Sequence, residues 1–128
     1  MKDQVTSIEQ SLRLLELGVP AKKASMVYVN NSDIPSFKAE LVSSGIDLEE
    51  LVSDGHEYTP AFTVADLLGM MPRCINGYYS FTLYVQGRGW GIEWVDGDLC
   101  VGQMYHEHLL ILICDRIEWL LSNGYNEA

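Results

Sequence analysis

The stretch Tyr79-Ser80-Phe81-Thr82-Leu83-Tyr84-Val85-Gln86-Gly87-Arg88-Gly89-Trp90-Gly91-Ile92-Glu93-Trp94-Val95-Asp96-Gly97-Asp98-Leu99-Cys100-Val101-Gly102 decides the fold. Apolar and polar residues alternate through it, the period of strands with one buried face, and turn-forming residues interrupt it twice. Taking Gly87-Arg88 as a two-residue turn pairs Val85 with Trp90, Leu83 with Ile92 and Phe81 with Trp94. Taking Asp96-Gly97 as the next turn pairs Trp94 with Leu99 and Ile92 with Val101. Both turns select the same buried face: Tyr79, Phe81, Leu83, Val85, Trp90, Ile92, Trp94, Leu99 and Val101. Ser80, Thr82, Tyr84, Gly91, Glu93, Asp98, Cys100 and Gly102 fall opposite. A one-residue slip would turn every side chain over, so the agreement is a strong constraint.

A three-stranded meander needs a partner on its apolar face. From Glu107 to Asn123 the chain has helical period, with Leu110, Ile113, Cys114, Ile117, Leu120 and Leu121 on one stripe and Gly124 placed to cap the end. Leu109, Ile111 and Leu112 widen that stripe beyond what one sheet face requires, and Trp119 lies off it. The excess predicts cover from the N-terminal helices or from a second subunit.

Upstream, Thr6-Ser7-Ile8-Glu9 has the capping-box spacing, with Ile8, Leu12 and Leu15 following on one helical face as far as Leu17. Gly18 suits the helix end, and Pro20 suits the first turn of a short second helix to Met26, with Val27-Tyr28-Val29 continuing it or forming a strand. Residues 30–60 read as an acidic connector with one or two loosely packed helical turns. Thr63-Val64-Ala65-Asp66 is a second capping signal, opening a helix that Pro72 ends after Met71.

The 128 residues fit a single α+β domain by length, and 48% apolar with 20% charged residues is a globular composition. Eight Lys and Arg against eighteen Asp and Glu give a net charge of −10. Such a surface repels phosphate backbones and anionic lipid. The stretch Asp33, Glu40, Asp47, Glu49, Glu50, Asp54, Glu57 and Asp66, with only Lys38 opposing it, carries −7 of the total. Cys74, Cys100 and Cys114 form no CxxC pair, which fits a reducing cytosol. The start lacks the apolar core of a signal peptide, and the longest apolar run, Leu109 to Cys114, is six residues. A membrane span needs about twenty, so a cytoplasmic protein is expected.

Leu14 to Ser25 has the outline of a helix-turn-helix, with Lys22 and Lys23 opening its second helix, yet that helix is short and weakly basic in an acidic molecule, which favours a plain helical hairpin closing one end of the sheet. His106-Glu107-His108, with His56-Glu57, suggests metal ligands, but the two imidazoles sit where a strand hands over to a helix and no Cys lies at ligand spacing. No metal or other cofactor is therefore expected. GxSxG, HExxH and phosphate-loop patterns are missing, so no catalytic residue is assigned; Glu93 and Asp98 read as solvated carboxylates. The open sheet face is more informative. In the derived register Gly91 pairs with Gly102 beside Tyr84, with Tyr78, Glu93 and Met104 nearby. That is either an aromatic shielding two glycines or a shallow groove for a peptide.

Three further stretches carry a resemblance: Ser7-Ile8-Glu9-Gln10-Ser11 leading to Leu14-Leu15-Glu16-Leu17-Gly18; Tyr58 to Leu68 closing at Met71-Pro72; and Trp119-Leu120-Leu121-Ser122-Asn123-Gly124-Tyr125. Together they resemble a group of small proteins carried by prophages and mobile elements of gut bacteria, to which no activity is assigned. The match covers about half the chain. It implies a genomic setting and transfers no site residue.

The resulting expectation is a cytosolic accessory protein of phage type that binds another protein and is not an enzyme, with a homodimer as one form. Its contact surface draws on Tyr78, Tyr84, Gly91, Glu93, Gly102, Met104, Leu109, Leu112 and Trp119. Two alternatives stand beside it: an acidic mimic of DNA acting on a host nucleic-acid enzyme, and a DNA binder using residues 14–25.

Overall fold

The computed structural model describes residues 4–30, 40–43 and 57–125. The α+β class holds, and the chain forms two compact units, Met1–Asp66 and Leu67–Ala128.

In the first unit, helix α1 (Ile8–Glu16) is followed by a single 3-10 turn at Ala21–Lys23, then strands β1 (Met26–Asn30), β2 (Glu40–Ser43) and β3 (Glu57–Ala61). The strands form an antiparallel sheet in the order β2-β1-β3. β1 takes the centre, as suits its β-branched and aromatic Val27-Tyr28-Val29, while Pro60, which has no amide hydrogen to donate, lies on the outer strand β3.

Two expectations for α1 are corrected. The capping box is one residue later than predicted: the Gln10 amide donates to Ser7 Oγ at 3.1 Å, and the Ser7 amide donates to Gln10 Oε1 at 2.8 Å. The buried face is also different, with Ser11 and Leu14 inside while Ile8 and Leu12 are 40% and 53% exposed. The cause is Thr6, whose hydroxyl is too well used to cap the helix. Its Oγ lies 2.7 Å from that of Ser11 and accepts the Phe62 amide at 3.0 Å. The Thr6 amide donates to the Phe62 carbonyl, and the Thr6 carbonyl accepts the Tyr28 hydroxyl. These bonds tie α1, β1 and the end of β3 together through buried hydroxyls and fix the rotation of the helix.

At its C-terminus α1 closes in a Schellman pattern, the Val19 amide reaching the Leu14 carbonyl and the Gly18 amide that of Leu15. The helix expected from Pro20 to Met26 is absent, because one 3-10 turn gives way to β1. The helix-turn-helix over residues 14–25 therefore does not form. In the acidic connector, Glu40–Ser43 and Glu57–Ala61 are strands. The rest of the connector, 31–39 and 44–56, lies outside the described residues, and with it any helical turns expected there and Asp33, Asp47, Glu49, Glu50 and Asp54.

Helix α2 (Val64–Gly69) begins where predicted. Thr63 Oγ1 accepts the Asp66 amide and an Asp66 carboxylate oxygen accepts the Thr63 amide, both at 3.0 Å. The same carboxylate holds Ser25, just ahead of β1, accepting its amide at 2.8 Å and its hydroxyl. Burial alone would raise the Asp66 carboxyl, but the bonds from Ser25 and Thr63 outweigh it and hold the group below the usual carboxylate range.

The second unit is a four-stranded antiparallel sheet, β4 (Cys74–Ile75), β5 (Tyr79–Gln86), β6 (Gly89–Asp96) and β7 (Leu99–His106), in sequential order, with helix α3 (Leu109–Ser122) packed on β6 and β7. The fourth strand was not expected. It is set by Asn76-Gly77, where both residues have positive φ (56° and 81°) and the Tyr78 amide donates to the Ile75 carbonyl.

The first predicted hairpin is as derived: Val85 faces Trp90, Leu83 faces Ile92 and Phe81 faces Trp94. The second is corrected. Its turn is Gly97-Asp98, so Asp96 faces Leu99 and Trp94 faces Val101. Both turns put glycine first, with φ of 57° at Gly87 and 60° at Gly97, the position that a type II′ turn reserves for it. The two-residue shift keeps Trp94 and Val101 on the buried face. A bulge between Ile92 and Trp94 then changes the parity of β7, so that Ile92 faces Met104 and Gly91 faces Tyr105.

The inner face carries the core. Ile92 and Trp94 are completely buried, and Trp94 lies against Phe81 and Trp119 with ring centroids 5.4 and 5.7 Å away. Its indole N–H donates to the Pro72 carbonyl at 3.0 Å. Val85 and Leu99, expected inside, are 69% and 62% exposed because they flank the turns. Leu110, Leu112, Ile113, Ile117 and Leu120 are the buried residues of α3. No helix of the described residues is long and apolar enough to cross a membrane.

Candidate interaction surface

The outer face of the second sheet, opposite α3, is where the sequence expectations converge most closely. Tyr84, Gly91 and Tyr105 form one row across β5, β6 and β7. The Tyr84 ring folds flat over Gly91, so that a Cβ at 91 would fall 2.2 Å from Tyr84 Cζ. Tyr105 sends its hydroxyl to the neighbouring glycine, within 2.9 Å of where a Cβ at Gly89 would lie. Gln103 Nε2 donates to the Tyr84 hydroxyl at 3.4 Å. Both glycines are buried, Gly91 under the Tyr84 ring and Gly89 against the backbone of His106 and Glu107 as well as the Tyr105 hydroxyl. Thr82 and Glu93 form the next row, half-buried.

Tyrosine pairs a broad ring with a hydroxyl that tolerates water, and a ring pinned over glycine has already lost its rotamer freedom. The row therefore offers one fixed amphipathic plate, Tyr84, beside Tyr105, which remains 43% exposed.

The predicted contact residues divide. Tyr84, Gly91 and Glu93 lie on this face as expected. Tyr78 is 54% exposed in the Asn76-Gly77 turn, its ring 4.6 Å from that of Tyr79. Gly102 and Met104 are corrected to the inner side by the bulge. At Gly102 φ is +66°, and a Cβ there would fall 2.7 Å from the Trp119 ring and 2.8 Å from that of Trp94, so only glycine fits. Trp119 is accordingly a packing residue, with Arg116 over its ring and Tyr125 beside it. Leu112 is fully buried and leaves the contact surface, Leu109 is half-buried, and Ile111 alone of the excess apolar residues is exposed, at 42%. Tyr105 and Gln103 were missed. The available signal was Gly102, since a lone glycine within a strand marks a bulge and hence a change of face.

The histidine pair comes together without offering a chelate. The rings of His106 and His108 have centroids 5.6 Å apart, but His106 Nδ1 accepts the His108 amide at 2.9 Å. In the neutral His106 ring the proton then sits on Nε2, so His106 has no lone pair left to join His108 on a metal. His56 lies outside the described residues. Among the described residues no group of three or more His, Cys, Asp or Glu could hold a metal ion. All three cysteines are free, Cys74 and Cys100 exposed and Cys114 raised to about 11 by burial. Of the acidic stretch, Asp66 is committed to its bonds with Ser25 and Thr63.

No protein-family model, no curated protein and no solved structure matches this chain.

Proposed function

We propose that this chain is an accessory protein of the phage type implied by its resemblance, working in a reducing cytosol by binding another protein through the outer tyrosine face of its second sheet. The observation that carries the reading is the row Tyr84-Gly91-Tyr105. Tyr84 is held over the buried Gly91, and beside it Tyr105 brings its hydroxyl to Gly89 while remaining 43% exposed. A preformed aromatic plate such as Tyr84 suits recognition, because little of its side-chain entropy remains to be lost on docking. Exposed free thiols at Cys74 and Cys100 are in keeping with a reducing compartment.

The test is a photo-crosslinking residue in place of Gln103, beside the tyrosine row, and another in place of Lys22 on the first unit as control. Irradiation in cells should give one discrete adduct from position 103 and none from 22. Equal adducts from both positions, or none from 103, would contradict the proposal.

A further inference from the structure

The two edges of the second sheet differ in how they are protected. On β7 the bulge interrupts the ladder, and Arg116 donates from Nη1 to the Gly102 carbonyl at 3.0 Å, occupying an acceptor of the strand. β5 has no such device. The short β4 covers only Tyr79 and Ser80, with one further bond from the Phe81 amide to the Arg73 carbonyl. Pro72 then turns toward the inner face, where its carbonyl meets Trp94. Among the described residues no strand pairs with Thr82 to Gln86 on this side.

The register states which groups face outward. Gln86 and Gly89 close a two-residue turn, so Gln86, Tyr84 and Thr82 exchange hydrogen bonds with β6. Leu83 and Val85 therefore direct their N–H and C=O groups to the open edge, consistent with the outward bond of Phe81. Edge strands are normally defended by charge, proline or bulges, whereas Thr82-Leu83-Tyr84-Val85-Gln86 has none and Val85 is 69% exposed.

Charge surrounds this neutral edge in a definite pattern. The second unit has three cations, Arg73, Arg88 and Arg116. Arg116 is engaged with Asp115, Gly102 and Trp119. Arg73 and Arg88 are exposed and stand at the two ends of the open edge, one beside Phe81 and the other in the turn after Gln86. From one to the other is about seven residues of strand at about 3.4 Å each.

We propose that the open edge of β5 accepts an extended peptide segment of another protein as a fifth strand, with apolar residues alternating beside Leu83 and Val85 and a carboxylate near each end for Arg73 and Arg88. Backbone hydrogen bonds supply the attraction and the arginines set the position. A second copy of this chain fits less well: pairing β5 with itself so that Leu83 meets Val85 brings Arg73 of one copy against the Arg88 turn of the other. The inference is independent of the tyrosine face, since it uses backbone groups in the plane of the sheet.

The probe is a synthetic peptide of about seven residues, threonine alternating with valine and glutamate at both ends, followed by amide hydrogen exchange and NMR shifts on the full chain. Added peptide should slow exchange at Leu83 and Val85 and leave Thr82 and Tyr84, already bonded to β6, unchanged. Val85→Pro, which removes one outward donor, should abolish the effect. Arg88→Glu, in an exposed turn where folding is not at stake, should weaken binding roughly tenfold, and a peptide with lysine ends should bind correspondingly worse than the glutamate peptide. Absence of the alternating pattern at millimolar peptide, or equal binding of the two peptides, overturns the proposal. Protection without peptide also overturns it: if it grows with protein concentration a second copy occupies the edge, and if it does not the chain's own residues do.

Discussion

The two units are held by different kinds of interaction. In the first, short hydroxyl side chains join the elements: Thr6 connects Ser11, Phe62 and Tyr28, and Asp66 connects Ser25 to the start of α2. In the second, aromatic rings join them, with Trp94 between Phe81 and Trp119 and Gly102 leaving room for both indoles. Polar stitching depends on each donor meeting one acceptor, and its cost on failure is a buried unsatisfied group. Aromatic packing depends on area and shape, so its failure leaves a cavity or a clash.

The largest expected effect is in the aromatic unit. Trp94→Ala removes a completely buried indole and leaves the Pro72 carbonyl without its donor. It should cost about 5 kcal/mol, read by denaturant unfolding; a loss below that of a Thr6 variant would reverse the comparison. Next is Gly102→Ala, which combines a positive φ with a Cβ driven into both indoles. It should lower stability by about 3 kcal/mol and move the side-chain resonances of Trp94 and Trp119. Unchanged resonances would mean that the bulge is not seated against them.

In the stitched unit Thr6→Val keeps the shape but leaves the Phe62 amide unbonded, for an expected loss of about 2 kcal/mol. Faster amide exchange should be confined to α1 and β3; an equal response throughout the chain would remove the distinction between the units. Asp66→Asn should cost about 1 kcal/mol at neutral pH. Because the folded carboxyl lies below its ordinary value, the stabilisation is complete above about pH 3.9 and is lost as pH falls through the lower folded value. The difference between wild type and variant should therefore vanish in acid, and a difference that persists there would assign the cost to something other than the charge.

The same contrast explains what the sequence disclosed. Alternation and glycine turns belong to neighbouring residues, so the β5–β6 pairing and the buried face of β6 were legible, as were the Thr63 cap and the α3 stripe. The stitched unit was not, because the partner of Thr6 is Phe62, far along the chain, and a buried threonine beside a helix start looks like a cap. Read as a cap, it selects the helical face of Ile8, Leu12 and Leu15, whereas its bonds to Ser11 and Phe62 turn Ser11 and Leu14 inward. The site was legible in part. Tyr84 over Gly91 followed from the first hairpin, whereas Tyr105 required the bulge, and the bulge required weighing Gly102 against an uninterrupted ladder.

The central claim is that the outer tyrosine row serves contact while the inner aromatic face serves stability. Tyr105→Ala tests the division most directly when unfolding is measured together with the crosslink from position 103. The expected result is stability within about 1 kcal/mol of wild type and loss of the adduct. An undiminished adduct, or a loss of stability as large as that of Trp94→Ala, would contradict it.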